Sequence, residues 1–214
     1  MSAGPSLVHV VDDDATTRQQ TVSLLRGRSF SVEAWPSTAD FLGYATGIAP
    51  GVILIDLCRT DIDRRAAQAH LTDAEIALPC FVLTASDDRD MAVEAMRGGA
   101  IDVLTKPAEP ERLSAAVTIG LNRLTKAQRR AATMRRVQAV LDLLSPRERE
   151  VLFGLTRGWS NKEIAREMGI SARTVEIHRA SVMEKLDAES LAQALRIAFI
   201  AEVCRMVNPA FHVA

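Results

Sequence analysis

The sequence predicts an α/β doubly wound sheet of five parallel strands, followed through a long helix by an all-helical C-terminal part. Three observations carry this prediction. Five short apolar runs alternate with amphipathic stretches in the first half, as in successive β–α units. From Glu109 to Leu144 the apolar positions recur at helical spacing. Beyond Leu144 no strand signal is present, and helix caps return at short intervals.

The apolar runs are Leu7–Val11, Ser31–Trp35, Val52–Leu57, Phe81–Thr84 and Ile101–Thr105. Several are near-continuous Val, Ile and Leu, as parallel strands covered on both faces require. Ser37–Ile48 reads as a helix opened by Ser37 with Asp40 three residues on, the pattern of a capping box. Asp88–Arg97 reads as another and is stopped by Gly98-Gly99. Leu113, Val117, Leu121 and Leu124 then begin a helical repeat that Met134, Val137, Leu141 and Leu144 resume. The expected division is a sheet domain over 1–120, a helical linker over 121–143 and a helical domain over 144–214. The linker's apolar seam has two readings: pairing with the same seam of a second chain, or packing back on its own domain.

In the C-terminal part Ser145 is an N-cap, Pro146 stands at the first helical position and Glu148 completes a capping box. Gly158 ends that helix. Asn161 is expected to cap a short helix, Lys162–Met168, that stops at Gly169. Ser171 caps the next, Ala172–Leu186. Two helices across a Gly-containing turn make a helix-turn-helix unit.

Composition narrows the function classes. The chain has 214 residues, 48% of them apolar, and a net charge of −1. That charge hides an asymmetry, because residues 1–119 sum to −7 and residues 120–214 to +6. Polyanion binding is thus expected in the second part. No apolar run reaches the roughly 18 residues of a membrane span, and Met1 to Leu7 lacks the layout of a signal peptide. With Cys58, Cys80 and Cys204 widely spaced, the expectation is a cytoplasmic protein with reduced thiols. No nucleophile–base–orienter set or Gly-rich nucleotide loop argues for a stand-alone enzyme.

On a doubly wound sheet, ligands bind at the carboxyl ends of the strands. Here the first strand ends in Asp12-Asp13-Asp14, the third in Asp56 and the fifth in Thr105-Lys106-Pro107. Carboxylates so gathered suit Mg²⁺, Lys106 suits phosphoryl oxygens and Thr84 supplies a donor. Asp56 would then be the nucleophile, forming an acyl phosphate. Asp14 alone is better read as a helix cap. A phosphatase that needs a second Asp two residues after the nucleophile is disfavoured, since Cys58 stands there.

Val8–Val11 with Asp12-Asp13, Ile53–Asp56, Leu83-Thr84-Ala85 and Thr105-Lys106-Pro107 together resemble the receiver domain of bacterial response regulators. Met91–Met96 with Gly98-Gly99-Ala100 is similar to the FixJ subgroup. The resemblance covers about Ser6–Gly120. It implies a flavodoxin-like receiver with strand order 2-1-3-4-5, phosphorylated on Asp56 by a histidine kinase. It further implies Mg²⁺ held by Asp12, Asp13, Asp56 and the backbone carbonyl of Cys58. Thr84 would be the switch threonine, Lys106 the phosphate-binding lysine, and the Lys106–Pro107 bond cis. The chain departs from the family at three places. The usual loop proline is Thr60, the turn glycine is Arg64, and the switch aromatic is Val103.

The helix Ala172–Leu186 divides by face at 100° per residue. Val175, Val182 and Leu186 point inward, and Arg173, Glu176, Ile177, Ala180, Ser181 and Glu184 outward. Ile177 and Ala180 on a polar face suit thymine methyls, and Glu176 a cytosine amino group. Lys162, Thr174, His178, Arg179 and Lys185 lie at the flanks and suit phosphates. LSPREREVL and SNKEIAREMGISARTVEIHRASVMEKL resemble the LuxR-type helix-turn-helix, covering Leu144 to about Ile200. The resemblance implies a four-helix domain whose third helix enters the major groove of double-stranded DNA. It also implies dimer contacts by the helix Ser190–Val203, and paired half-sites about one turn apart.

The expected function is therefore a DNA-binding transcriptional regulator in which phosphorylation of Asp56 controls dimerisation and operator binding. A homodimer, the kinase, DNA and RNA polymerase are the candidate partners. The alternative is a phosphorylation-independent regulator whose altered receiver serves as a dimerisation or partner-binding module.

Overall fold

The structure is a computed structural model that describes residues 6–44, 47–56, 78–85 and 89–207, with side chains to residue 202. It divides into two compact units, Met1–Gln128 and Arg129–Ala214. The first contains β1 (Leu7–Val11), α1 (Ala15–Arg26), β2 (Ser31–Trp35), α2 (Thr38–Gly43), β3 (Val52–Asp56), β4 (Cys80–Thr84), α3 (Arg89–Arg97) and β5 (Asp102–Thr105). All pairings are parallel, and the order is β2-β1-β3-β4-β5, as expected for a receiver.

Side chains alternate across a strand, and both faces of this sheet are covered. Val8, Val10, Val52, Leu54, Phe81, Leu83 and Leu104 pack with Val22 and Leu25 of α1 and with Leu113, Ala116 and Val117. Val11, Ile53, Ile55, Cys80 and Val82 pack on the other face with Phe41 of α2 and Ala100. Ser37 caps α2 through the Asp40 amide, but the helix ends at Gly43, well before the expected Ile48.

The helix α4 (Pro110–Asp142) is continuous over 33 residues. Leu113 and Val117 belong to the core of the first unit, and Val137 and Leu141 to a core of the second. At both ends its apolar seam is therefore occupied within this chain.

The second unit continues with α5 (Pro146–Thr156), α6 (Asn161–Met168), α7 (Ala172–Lys185) and α8 (Leu191–Val207). Ser145 and Glu148 form the expected capping box, with Pro146 in the first turn. The cap of α6 differs from expectation. Ser160, not Asn161, is the N-cap, and its own capping box with Glu163 makes Asn161 the first helical residue. Gly169 closes α6 in the left-handed conformation at φ 66°, which costs glycine little. A Cβ on Gly154 would lie 2.7 Å from Ile164 Cγ1, so α5 and α6 approach as closely as they do only because that position has no side chain.

Candidate functional sites

The parallel sheet brings the carboxyl ends of β1, β3 and β5 to one edge. Lys106, just past β5, donates from Nζ to Asp12 Oδ2 at 2.7 Å and to Asp56 Oδ2 at 2.6 Å. The side chains are 15%, 0% and 8% exposed respectively, so two buried carboxylates share one ammonium. Burial opposes the Lys106 charge, yet the hydrogen bonds and charges of Asp12 and Asp56 outweigh it and raise the pKa above the ordinary lysine value. Backbone contacts fix the frame. The Asp12 amide donates to the Trp35 carbonyl, the Lys106 amide to the Thr84 carbonyl, and Arg18 of α1 to the Asp12 carbonyl.

Carboxylate oxygens of Asp12, Asp13 and Asp56 lie within 4.8 Å of one another. This hard oxygen set at a partly open edge fits Mg²⁺, which keeps several of its waters. Asp13 is exposed, and Asp14 caps α1 by accepting from the Thr17 amide. Thr84 is buried at the end of β4, and the Lys106–Pro107 bond is cis as expected. Val103 is half-buried and packs on the core beside Ala100 and Val82. Cys58, Thr60 and Arg64 lie outside the described residues. Cys80 sits in the core, where burial pushes its thiol up to about 12, consistent with an inert packing residue.

In the second unit, α7 is held inward by Val175 and Val182 (both fully buried), with Leu186 3% exposed just after it. Glu176, Ile177, Ala180, Arg173 and Lys162 are exposed, Ile177 to 60%. His178 is half-buried. Arg173 pairs with Glu176 at 3.1 Å, and the Thr174 hydroxyl meets that of Ser171 at the helix cap. Arg179 donates to Asn161 Oδ1 of α6 at 2.9 Å.

Two residues of α7 make contacts that the assignment of faces does not anticipate. Ser181, expected on the outward face, donates to Glu148 Oε1 at 2.6 Å. Lys185, placed at a flank, donates to both Glu148 oxygens at 2.9 and 2.7 Å. A polar residue can turn towards an internal anion on another helix, and the apolar period of α7 does not register that. The sequence marks Glu148 only as part of a cap. It is 5% exposed, and Lys185, Ser181 and the Ser145 amide lower its pKa to about 2. No local sequence signal distinguishes it from an ordinary capping glutamate.

Comparison with known proteins places both units. Residues 8–118 match the family described as "Response regulator receiver domain", and residues 142–198 "Bacterial regulatory proteins, luxR family". The chain is 37% identical over 191 residues to the transcriptional regulatory protein FixJ of Rhizobium meliloti, covering 89% of this chain and 94% of FixJ. It is 36% identical to the tetrathionate response regulatory protein TtrR of Salmonella typhimurium, covering 88% and 90%. Among solved structures, the response regulator StyR has a TM-score of 0.77 at 34% identity, over 92% of this chain and 98% of StyR. Full-length FixJ from B. japonicum gives 0.56 at 35%, over 95% and 99%. The chain thus belongs to the FixJ-like response regulators, non-enzymatic two-component transcriptional regulators that join a receiver to a LuxR-type DNA-binding domain.

Proposed function

We propose that Asp56 accepts a phosphoryl group from a histidine kinase, and that this controls dimerisation and operator binding by the C-terminal domain. The observation that carries the reading is the Lys106 ammonium bridging Asp12 and Asp56 at the strand ends. One Asp56 oxygen attacks the phosphorus of a phosphohistidine. A P–O bond forms, the P–N bond breaks, and its electron pair stays on the imidazole nitrogen. Lys106 transfers from the carboxylate to the phosphoryl oxygens, and the Thr84 hydroxyl donates to another. Asp12, Asp13 and Asp56 would hold Mg²⁺, with the backbone carbonyl of Cys58 as the further ligand that the family resemblance implies, and the ion would supply positive charge against the carboxylates and the incoming phosphoryl group.

Domain limits of 1–120, 121–143 and 144–214 accompany this reading, with action in the cytoplasm. Among the described residues no helix is long and apolar enough to cross a membrane. Ile177, Ala180, Glu176 and Arg173 face the major groove, and Lys162, Thr174, His178 and Arg179 face phosphates. Phosphorylation favours a dimer and so raises the effective concentration of the second domain on paired half-sites. RNA polymerase is the partner once DNA is bound.

The test is gel filtration and DNA affinity of the full chain with Mg²⁺, with and without beryllofluoride, alongside Asp56→Asn. Both properties should change in the wild type and neither in the variant. No change in the wild type overturns phosphoryl gating. It would favour the second reading, a phosphorylation-independent receiver, which rests on Val103 packing into the core where the family carries a switch aromatic.

A further inference from the structure

We infer that Glu148 is the positioning residue of the recognition helix α7, and that Lys185 acts through it rather than on the DNA backbone. This rests on the reading of α7 as the helix that enters the groove. Glu148 lies in the first turn of α5, with its side chain 7% exposed. Its carboxylate has partners on every side. The Ser145 amide donates at 2.7 Å, closing the cap of its own helix. Ser181 and Lys185 donate from α7, four residues apart and therefore on one face of that helix. One anion thus ties the start of α5 to two successive turns of α7.

The remaining attachments of α7 are of a different kind. Val175 and Val182 are apolar contacts that resist separation but fix rotation poorly, and Arg179 adds a single hydrogen bond to the neutral Asn161 Oδ1 of α6. Hydrogen bonds to a buried charge are directional, so the Glu148 set fixes which way Ile177 and Ala180 face. A Lys185 ammonium bound to both carboxylate oxygens is already neutralised, and moving it to a phosphate would leave a buried anion without its cation.

The experiment uses the full chain and a duplex selected by the wild type from a random pool. Lys185→Gln and Glu148→Gln should each weaken binding to that duplex about tenfold or more, while non-specific binding and the salt slope stay unchanged. The double variant should cost no more than either single one, and Lys185→Arg should restore affinity. Thermal melting identifies variants folded at the assay temperature. If Lys185 touches phosphate instead, Lys185→Gln lowers the salt slope by about 0.9. Glu148→Gln then leaves affinity equal or higher. Folded variants with wild-type affinity likewise overturn the inference. Failure of the wild type to select any duplex would refute the DNA reading itself, separately.

Discussion

Lys106 Nζ lies 2.6 Å from Asp56 Oδ2 and 2.7 Å from Asp12 Oδ2, so the proposed phosphoacceptor is held by a cation that a second buried carboxylate also claims. Removing the cation leaves two carboxylates facing each other out of water. Lys106→Met should lower receiver stability by about 3 kcal/mol at neutral pH, as loss of one partner of a buried ion pair does. Urea unfolding of the receiver transition measures it. A loss below about 1 kcal/mol would mean the pair is solvated.

Mg²⁺ should stabilise the receiver, with a gain that rises as the logarithm of its free concentration once that exceeds the dissociation constant. At free Mg²⁺ tenfold above the dissociation constant the gain is about 1.4 kcal/mol. Asp13 is exposed, so Asp13→Asn should fold normally and lose most of that gain. A wild-type Mg²⁺-dependent shift in the variant's melting temperature removes Asp13 from the ligand set.

Glu148 gives the C-terminal domain an acid sensitivity. Its pKa is lowered from 4.5 to about 2 by Lys185, Ser181 and Ser145. A lowered carboxylate pKa stabilises the fold above the unfolded value and loses that contribution as pH falls through the folded one. The window is thus pH 4.5 down to about 2, and the contribution is on the order of 2 kcal/mol. The difference in stability between wild type and Glu148→Gln should shrink across that window. A difference that stays constant there would show that the Glu148 charge does not carry the network.

Ile177 is 60% exposed on α7, so charging it should leave the domain folded. Ile177→Asp should change domain stability by less than about 0.5 kcal/mol and reduce affinity for the selected duplex at least tenfold. Retained affinity would place the reading face elsewhere.

Strands such as Val52–Asp56 were legible because continuous Val, Ile and Leu runs leave few alternatives; Leu7–Val11 agrees to the residue, as does Ser31–Trp35, whose SVEAW is a weaker signal. Asp12, Asp56 and Lys106 could be brought together from sequence because parallel strands place their carboxyl ends on one edge. What escaped is of two kinds. Ser160 and Asn161 are both good caps, and only the Glu163 partner decides between them. Ser181 and Lys185 turn to Glu148 across 33 and 37 positions, a pairing that periodicity along one helix does not encode.

The chain has two tryptophans, and each unit contains one. Trp35 ends β2, its ring centroid 5.5 Å from that of Tyr44, and its carbonyl accepts from the Asp12 amide. Trp159 packs in the core around Ile164, with the Arg157 guanidinium 5.3 Å from its ring. Each half of the molecule therefore has its own intrinsic fluorophore. Replacing one indole at a time would let emission report unfolding of the other half alone, and Trp35 would watch the acidic edge from a neighbouring strand without any attached dye.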